Sequence, residues 1–136
     1  MTKKRWVYSP KKPPKAKITD TVKQKVMTSA DKLVKTVLKP KNIQPPPENP
    51  QFNYIVDIYT KWYRSYFYFY AKYCCTSPHC IEPFFDSGFA RIEYVGHDHF
   101  NLSYMRHTGK WAEIYTGLSL EECLTAIKEE PFFVLS

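Results

Sequence analysis

Arg64-Ser65-Tyr66-Phe67-Tyr68-Phe69-Tyr70-Ala71-Lys72-Tyr73 is the stretch that decides the fold. Its side chains change character at every step, and successive side chains of an extended chain point to opposite faces. Phe67, Phe69 and Ala71 fall on one face, and Arg64, Tyr66, Tyr68, Tyr70 and Lys72 on the other. A phenyl ring offers water nothing, whereas a phenol offers a hydroxyl, so the Phe face is expected to be core and the Tyr face half-wet. Strict alternation with one wet face belongs to an antiparallel sheet.

Residues 53–59 have the same β-branched and aromatic character, and with a short turn near Lys61-Trp62 they read as the partner strand of a hairpin. Gly88, Gly96, Gly109 and Gly117 bracket three further runs, residues 89–95, 100–107 and 110–116, which read as strands joined by tight turns. Ser119-Leu120-Glu121-Glu122 is a capping box that opens a short helix over 119–130, stopped by Pro131. Upstream, Val22, Val26, Ala30, Leu33, Val37 and Leu38 recur at spacings of three and four, which predicts a helix over 20–39. Thr19-Asp20-Thr21 supplies caps for it, Gln24 completes a capping box with Thr21, and Pro40 is expected to end it. A stiff connector, residues 40–50, carries Pro45-Pro46-Pro47 and Pro50. The expected fold is α+β, a five-stranded antiparallel meander with a long N-terminal helix and a short C-terminal helix over one face.

Charge divides the chain unevenly. The first 41 residues hold 13 Lys/Arg against Asp20 and Asp31, while the other 95 hold 7 against 11 Asp/Glu. Lys3, Lys4, Arg5, Lys11, Lys12, Lys15 and Lys17, interleaved with Pro10, Pro13 and Pro14, make residues 1–18 an extended arm. Residues 19–136 are expected to form a single domain, consistent with the chain length. An arm of this composition suits a polyanion, with lysines meeting phosphates without reading sequence. A solvated tail, an acidic membrane surface and an acidic protein are the other readings of the same charge.

Several function classes lack their signatures. There is no apolar stretch of secretion-signal form after Met1, and no run of membrane-spanning length, so a cytoplasmic protein with reduced thiols is expected. Phosphate-cradling, dinucleotide, nucleophile-elbow and zinc-protease motifs are all missing. The reading is non-enzymatic, with no cofactor; His97, Asp98, Glu93 and Arg106 would be the first residues to test for a nuclease-like activity. Cys75, His79 and Cys80 are weak metal-ligand candidates, since their spacing lacks a second cysteine pair.

Ala90-Arg91-Ile92-Glu93-Tyr94, Leu102-Ser103-Tyr104-Met105-Arg106, Lys110-Trp111 with Tyr115, and Leu118 to Glu122 followed by Phe132-Phe133 carry a resemblance. Over roughly residues 85–135, and more loosely before them, the chain resembles a family of small bacterial proteins of unknown function. The resemblance implies no activity and no catalytic residue.

The tyrosine face has its own two readings. Seven of the eleven tyrosines lie between Tyr54 and Tyr73, and a row formed by Tyr66, Tyr68 and Tyr70, framed by Arg64 and Lys72, suits stacking of unpaired bases. Cross-strand aromatic pairs that merely stabilise a half-exposed sheet produce the same pattern. The expectation carried forward is a binder of RNA, single-stranded DNA or a ribonucleoprotein surface. Its alternative is a protein-interaction adaptor using the tyrosine face and the apolar tail Phe132-Phe133-Val134-Leu135. The sequence chooses no oligomeric state.

Overall fold

The computed structural model of the chain describes residues 18–43 and 53–135. The seven basic residues of the arm and the connector prolines from Pro45 to Pro50 lie outside these residues.

Helix α1 (Asp20–Leu33) starts at Thr19, whose hydroxyl accepts from the Val22 N–H at 3.2 Å, so the capping residue is Thr19 and not Thr21. Val26, Ala30 and Leu38 of the predicted stripe are buried together with Val34, which the spacing did not include, while Val22, Leu33 and Val37 are half-buried along its flanks. Pro40 does not end the helix. The chain widens into a π-helical segment, Val34–Leu38, and closes with a last α-turn, α2 (Lys39–Asn42). The Lys39 N–H reaches back five residues to the Val34 carbonyl. This wider turn lies just ahead of Pro40, where a regular helix would bring the proline ring against the carbonyl four residues back. The Asn42 side chain then donates to the Leu38 carbonyl at 2.9 Å, satisfying one of the exposed terminal acceptors.

Five strands follow, β1 (Tyr54–Tyr63), β2 (Tyr66–Cys74), β3 (Phe84–Gly96), β4 (His99–Met105) and β5 (Trp111–Leu118). They form one sheet in the order β1-β2-β3-β4-β5 with every neighbouring pair antiparallel, the meander expected. Strand ends shift from expectation by a residue or two at β4 and at β5, the latter ending at Leu118 and so including Gly117, and two larger differences bear on the open face. The first turn is Arg64-Ser65, between the paired Tyr63 and Tyr66, so Lys61 and Trp62 belong to β1. Arg64 takes φ 57°, a left-handed value that a two-residue hairpin turn imposes. Strand β3 starts at Phe84 and carries Gly88 inside it, where Tyr70 pairs with Gly88 across a bulge.

Helix α3 (Leu120–Glu129) opens on a complete capping box: the Ser119 hydroxyl accepts from the Glu122 N–H, and the Glu122 carboxylate accepts from the Ser119 N–H. Leu120, Cys123, Ala126 and Ile127 of α3 join the α1 stripe and Ile58, Phe67, Phe69, Ile92 and Leu102 of the sheet in one core. The layers are therefore two, helices on sheet, with the helices on the Phe face. The tail turns back through Pro131–Phe133, burying Phe133 and packing Leu135 on the core while Phe132 and Val134 stay exposed. Among the described residues no helix is long and apolar enough to cross a membrane.

Candidate nucleic-acid interface

The face turned away from the helices is aromatic across four of the five strands. Register places Lys61 of β1 opposite Tyr68, Tyr68 opposite Arg91, Arg91 opposite Ser103, and Ser103 opposite Glu113, one row running straight across the sheet. Tyr66, Tyr68 and Tyr70 stand on this face as expected, each half-buried, while Phe67, Phe69 and Ala71 on the other side have 0% exposure. The rings pack on one another. Tyr59 stacks on Tyr70 with centroids 5.3 Å apart, Tyr70 stacks on Tyr68 at 5.8 Å, and Trp111 of β5 approaches Tyr68 at 5.8 Å. These are the offset and tilted arrangements that ring quadrupoles favour.

Cations sit within the face and at its margin. The Arg91 guanidinium lies 4.5 Å from the Tyr66 ring centre and 4.9 Å from that of Trp111, a double cation–π contact. Lys72 covers the Phe84 ring at 5.1 Å. Arg64 departs from its expected place: it sits in the hairpin turn, 5.3 Å over Tyr63, and leaves the framing of the tyrosine row to Lys61 and Arg91. A cleft of about 410 Å³ opens on this face, lined by Lys61, Tyr63, Tyr68, Tyr70, Gly88, Met105 and Trp111. Burial, followed by the negative charge of Asp86, holds the Tyr59 hydroxyl above its usual pKa; burial, followed by Tyr68, does so for Tyr70. Both rings are therefore neutral donors at physiological pH.

Trp111, Lys61 and Gly88 have no role in the sequence reading of this site. The signal for Trp111 is the alternation in β5, where Trp111 and Glu113 share the polar face and Ala112 pairs with Tyr104 on the other. Lys61 is missed because the sequence places the turn at Lys61-Trp62, three residues before the observed Arg64-Ser65, which removes it from the strand.

The cysteine expectation is corrected. Cys75 and Cys80 are joined in a disulfide, while Cys74 and Cys123 are free thiols. The loop between β2 and β3 folds back on itself through Cys75 N–H to Pro83 carbonyl at 2.8 Å and Cys80 N–H to Ser77 carbonyl at 3.2 Å. That brings the two Cα atoms to 6.4 Å, inside the bridging range. The pair is thus not available as thiolate ligands beside the exposed His79, and among the described residues no group of three His, Cys, Asp or Glu is placed to hold a metal ion. His97 and Asp98 form the β3–β4 turn, both at positive φ, and Arg106 follows the far end of β4, roughly 20 Å along that strand. The structure does not gather Arg106 with His97 and Asp98; Glu93 lies between, on the open face.

Fold and face together define a small two-layer α+β protein with a solvent-open, aromatic sheet surface. The family described as Domain of unknown function (DUF3024) matches residues 18–135, and the chain belongs to that family. No curated protein matches the chain, and no solved structure does.

Proposed function

We propose that the protein is a non-enzymatic binder of single-stranded nucleic acid, RNA or DNA, free or on a ribonucleoprotein surface. Unpaired bases stack on Tyr68, Tyr70 and Trp111, and phosphates are met by Lys61 and by the arm residues Lys3, Lys4, Arg5, Lys11, Lys12, Lys15 and Lys17. One observation carries the reading: a face of mutually packed rings lies open on the side opposite the helices, with cations set among the rings. Base-on-ring stacking contributes roughly 1–3 kcal/mol per base and is tolerant of sequence. The adaptor reading draws less support, because Phe133 and Leu135 of the apolar tail are spent on the core.

The test is binding of the full chain to mixed-sequence single-stranded RNA and to duplex DNA at several salt concentrations. Phosphate contacts predict a steep fall of log K with log salt, made shallower by changing the seven basic arm residues to Gln. Replacing Tyr66, Tyr68 and Tyr70 together by Ala is expected to weaken single-strand binding while leaving duplex binding unchanged, with folding checked by circular dichroism. Absence of binding to either nucleic acid at low salt would sink the proposal.

A further inference from the structure

Resting on that reading, the geometry points to a slot for one unpaired nucleobase on this face, in place of a track along the whole tyrosine row. Most gaps between the rings are already filled by the protein. Arg91 occupies the space between Tyr66 and Trp111, Tyr59 lies on Tyr70 at an interplanar angle of 20°, and Tyr70 in turn stacks on Tyr68 at 28°. A base entering between Tyr66 and Trp111 must expel a guanidinium that is itself stacked. The space left over is the 410 Å³ cleft between Lys61 and Trp111, at the low end of the roughly 300–1,000 Å³ that small-ligand sites span.

Gly88 sets the depth of that slot. A Cβ at this position would stand 3.1 Å from Trp111 Cζ2 and 3.4 Å from Tyr70 Cε1, inside or at the edge of contact. With only hydrogen there, the indole and the phenol settle against the backbone and leave room above them. Charge orients what enters. Along the central row the sheet passes from Lys61 at one edge strand to Glu113 at the other, four strand spacings or about 19 Å apart. An anionic phosphate is drawn to exposed Lys61 and repelled from Glu113, while Arg91 keeps its guanidinium between Tyr66 and Trp111, so the planar base points inward toward Trp111. The ligand is therefore a nucleotide unit, a flat heteroaromatic ring with a phosphate on one side, and both a free mononucleotide and one residue of a strand have that chemistry.

The experiment uses the full chain carrying Trp6→Phe and reads tryptophan fluorescence with adenosine 5′-monophosphate and with oligodeoxyadenylates of increasing length. The slot predicts quenching by the mononucleotide that disappears in Trp111→Phe, and a quench amplitude that does not grow with oligonucleotide length. Gly88→Ala is expected to weaken the mononucleotide about tenfold, the scale of one lost stacking contact. Lys61→Gln, an exposed change that leaves the core alone, is expected to weaken adenosine 5′-monophosphate and spare adenosine. A long oligonucleotide that binds far more tightly than the mononucleotide identifies a strand as the source; equal affinities identify the free nucleotide. If oligonucleotides bind through the tyrosines but amplitude grows with length and both Gly88→Ala and Lys61→Gln are silent, the slot is wrong and the nucleic-acid reading survives. If the mononucleotide alone binds, the slot stands and the nucleic-acid reading falls.

Discussion

Phe67 and Tyr68 are neighbours in the chain and face opposite sides of one sheet. Phe67 lies edge-on to Phe69 at 5.4 Å and to Trp62 at 5.0 Å beneath two helices, fully removed from water. Tyr68 is equally crowded by rings, Tyr66, Tyr70 and Trp111, yet no helix covers it. Both faces carry packed aromatic rings, but only the inner one gains the full free energy of leaving water. The outer one keeps apolar area that a ligand can still bury.

The comparison breaks first on stability. Phe67→Ala or Phe69→Ala is expected to cost about 3–5 kcal/mol, seen as a large fall in denaturant midpoint, whereas Tyr68→Ala should cost about 1 kcal/mol or less. Equal losses would mean that the outer rings are structural in the same sense as the core.

Between these extremes lies the loop that joins β2 to β3. Reducing the Cys75–Cys80 bridge opens a short loop, for which chain entropy predicts about 2 kcal/mol, measured by denaturation with and without reductant. In the same sample Cys74 should react with an alkylating reagent and Cys123 should not. Burial, followed by the Glu122 charge, pushes the Cys123 thiol up to about 12. An unfolded chain releases that proton near pH 8.5 and the folded one holds it, so the contribution is whole below about 8.5 and is lost as the pH rises toward 12. Cys123→Ala should flatten that part of the alkaline stability curve.

Ser119→Ala removes a helix cap and is expected to cost about 1 kcal/mol in thermal or denaturant unfolding. Its effect is pH-dependent. Hydrogen bonds from the Ser119 backbone and then its hydroxyl lower the Glu122 pKa, so the box stabilises above the ordinary carboxylate range and fails as the pH falls through the lowered value. The stability difference between the variant and the parent should therefore shrink in acid.

Alternation in β2 was enough to assign both faces, since a β-sheet repeats every two residues and Phe and Tyr differ in the one hydroxyl that matters. The helix stripe was equally legible at Val26, Ala30 and Leu38. Three things were not. Pro40 reads as a stop, and only the π-helical turn before it lets the helix continue to Asn42. Gly88 reads as punctuation, yet it serves a contact with Trp111 two strands away, from β3 to β5, which no local pattern contains. Cys75 and Cys80 carry no redox signal in their spacing; their pairing depends on how the loop folds. Arg64 shows the same lesson from the other side, since moving a turn by three residues takes a cation out of the row and puts Lys61 into it.

On the proposed function, the outer rings serve binding and the inner ones folding. Tyr68→Ala tests it on a single sample, by measuring the denaturant midpoint and the affinity for single-stranded RNA together. The expected result is a midpoint close to that of the parent and an affinity weaker by about tenfold, the scale of one lost stacking contact. A depressed midpoint with unchanged affinity would contradict it.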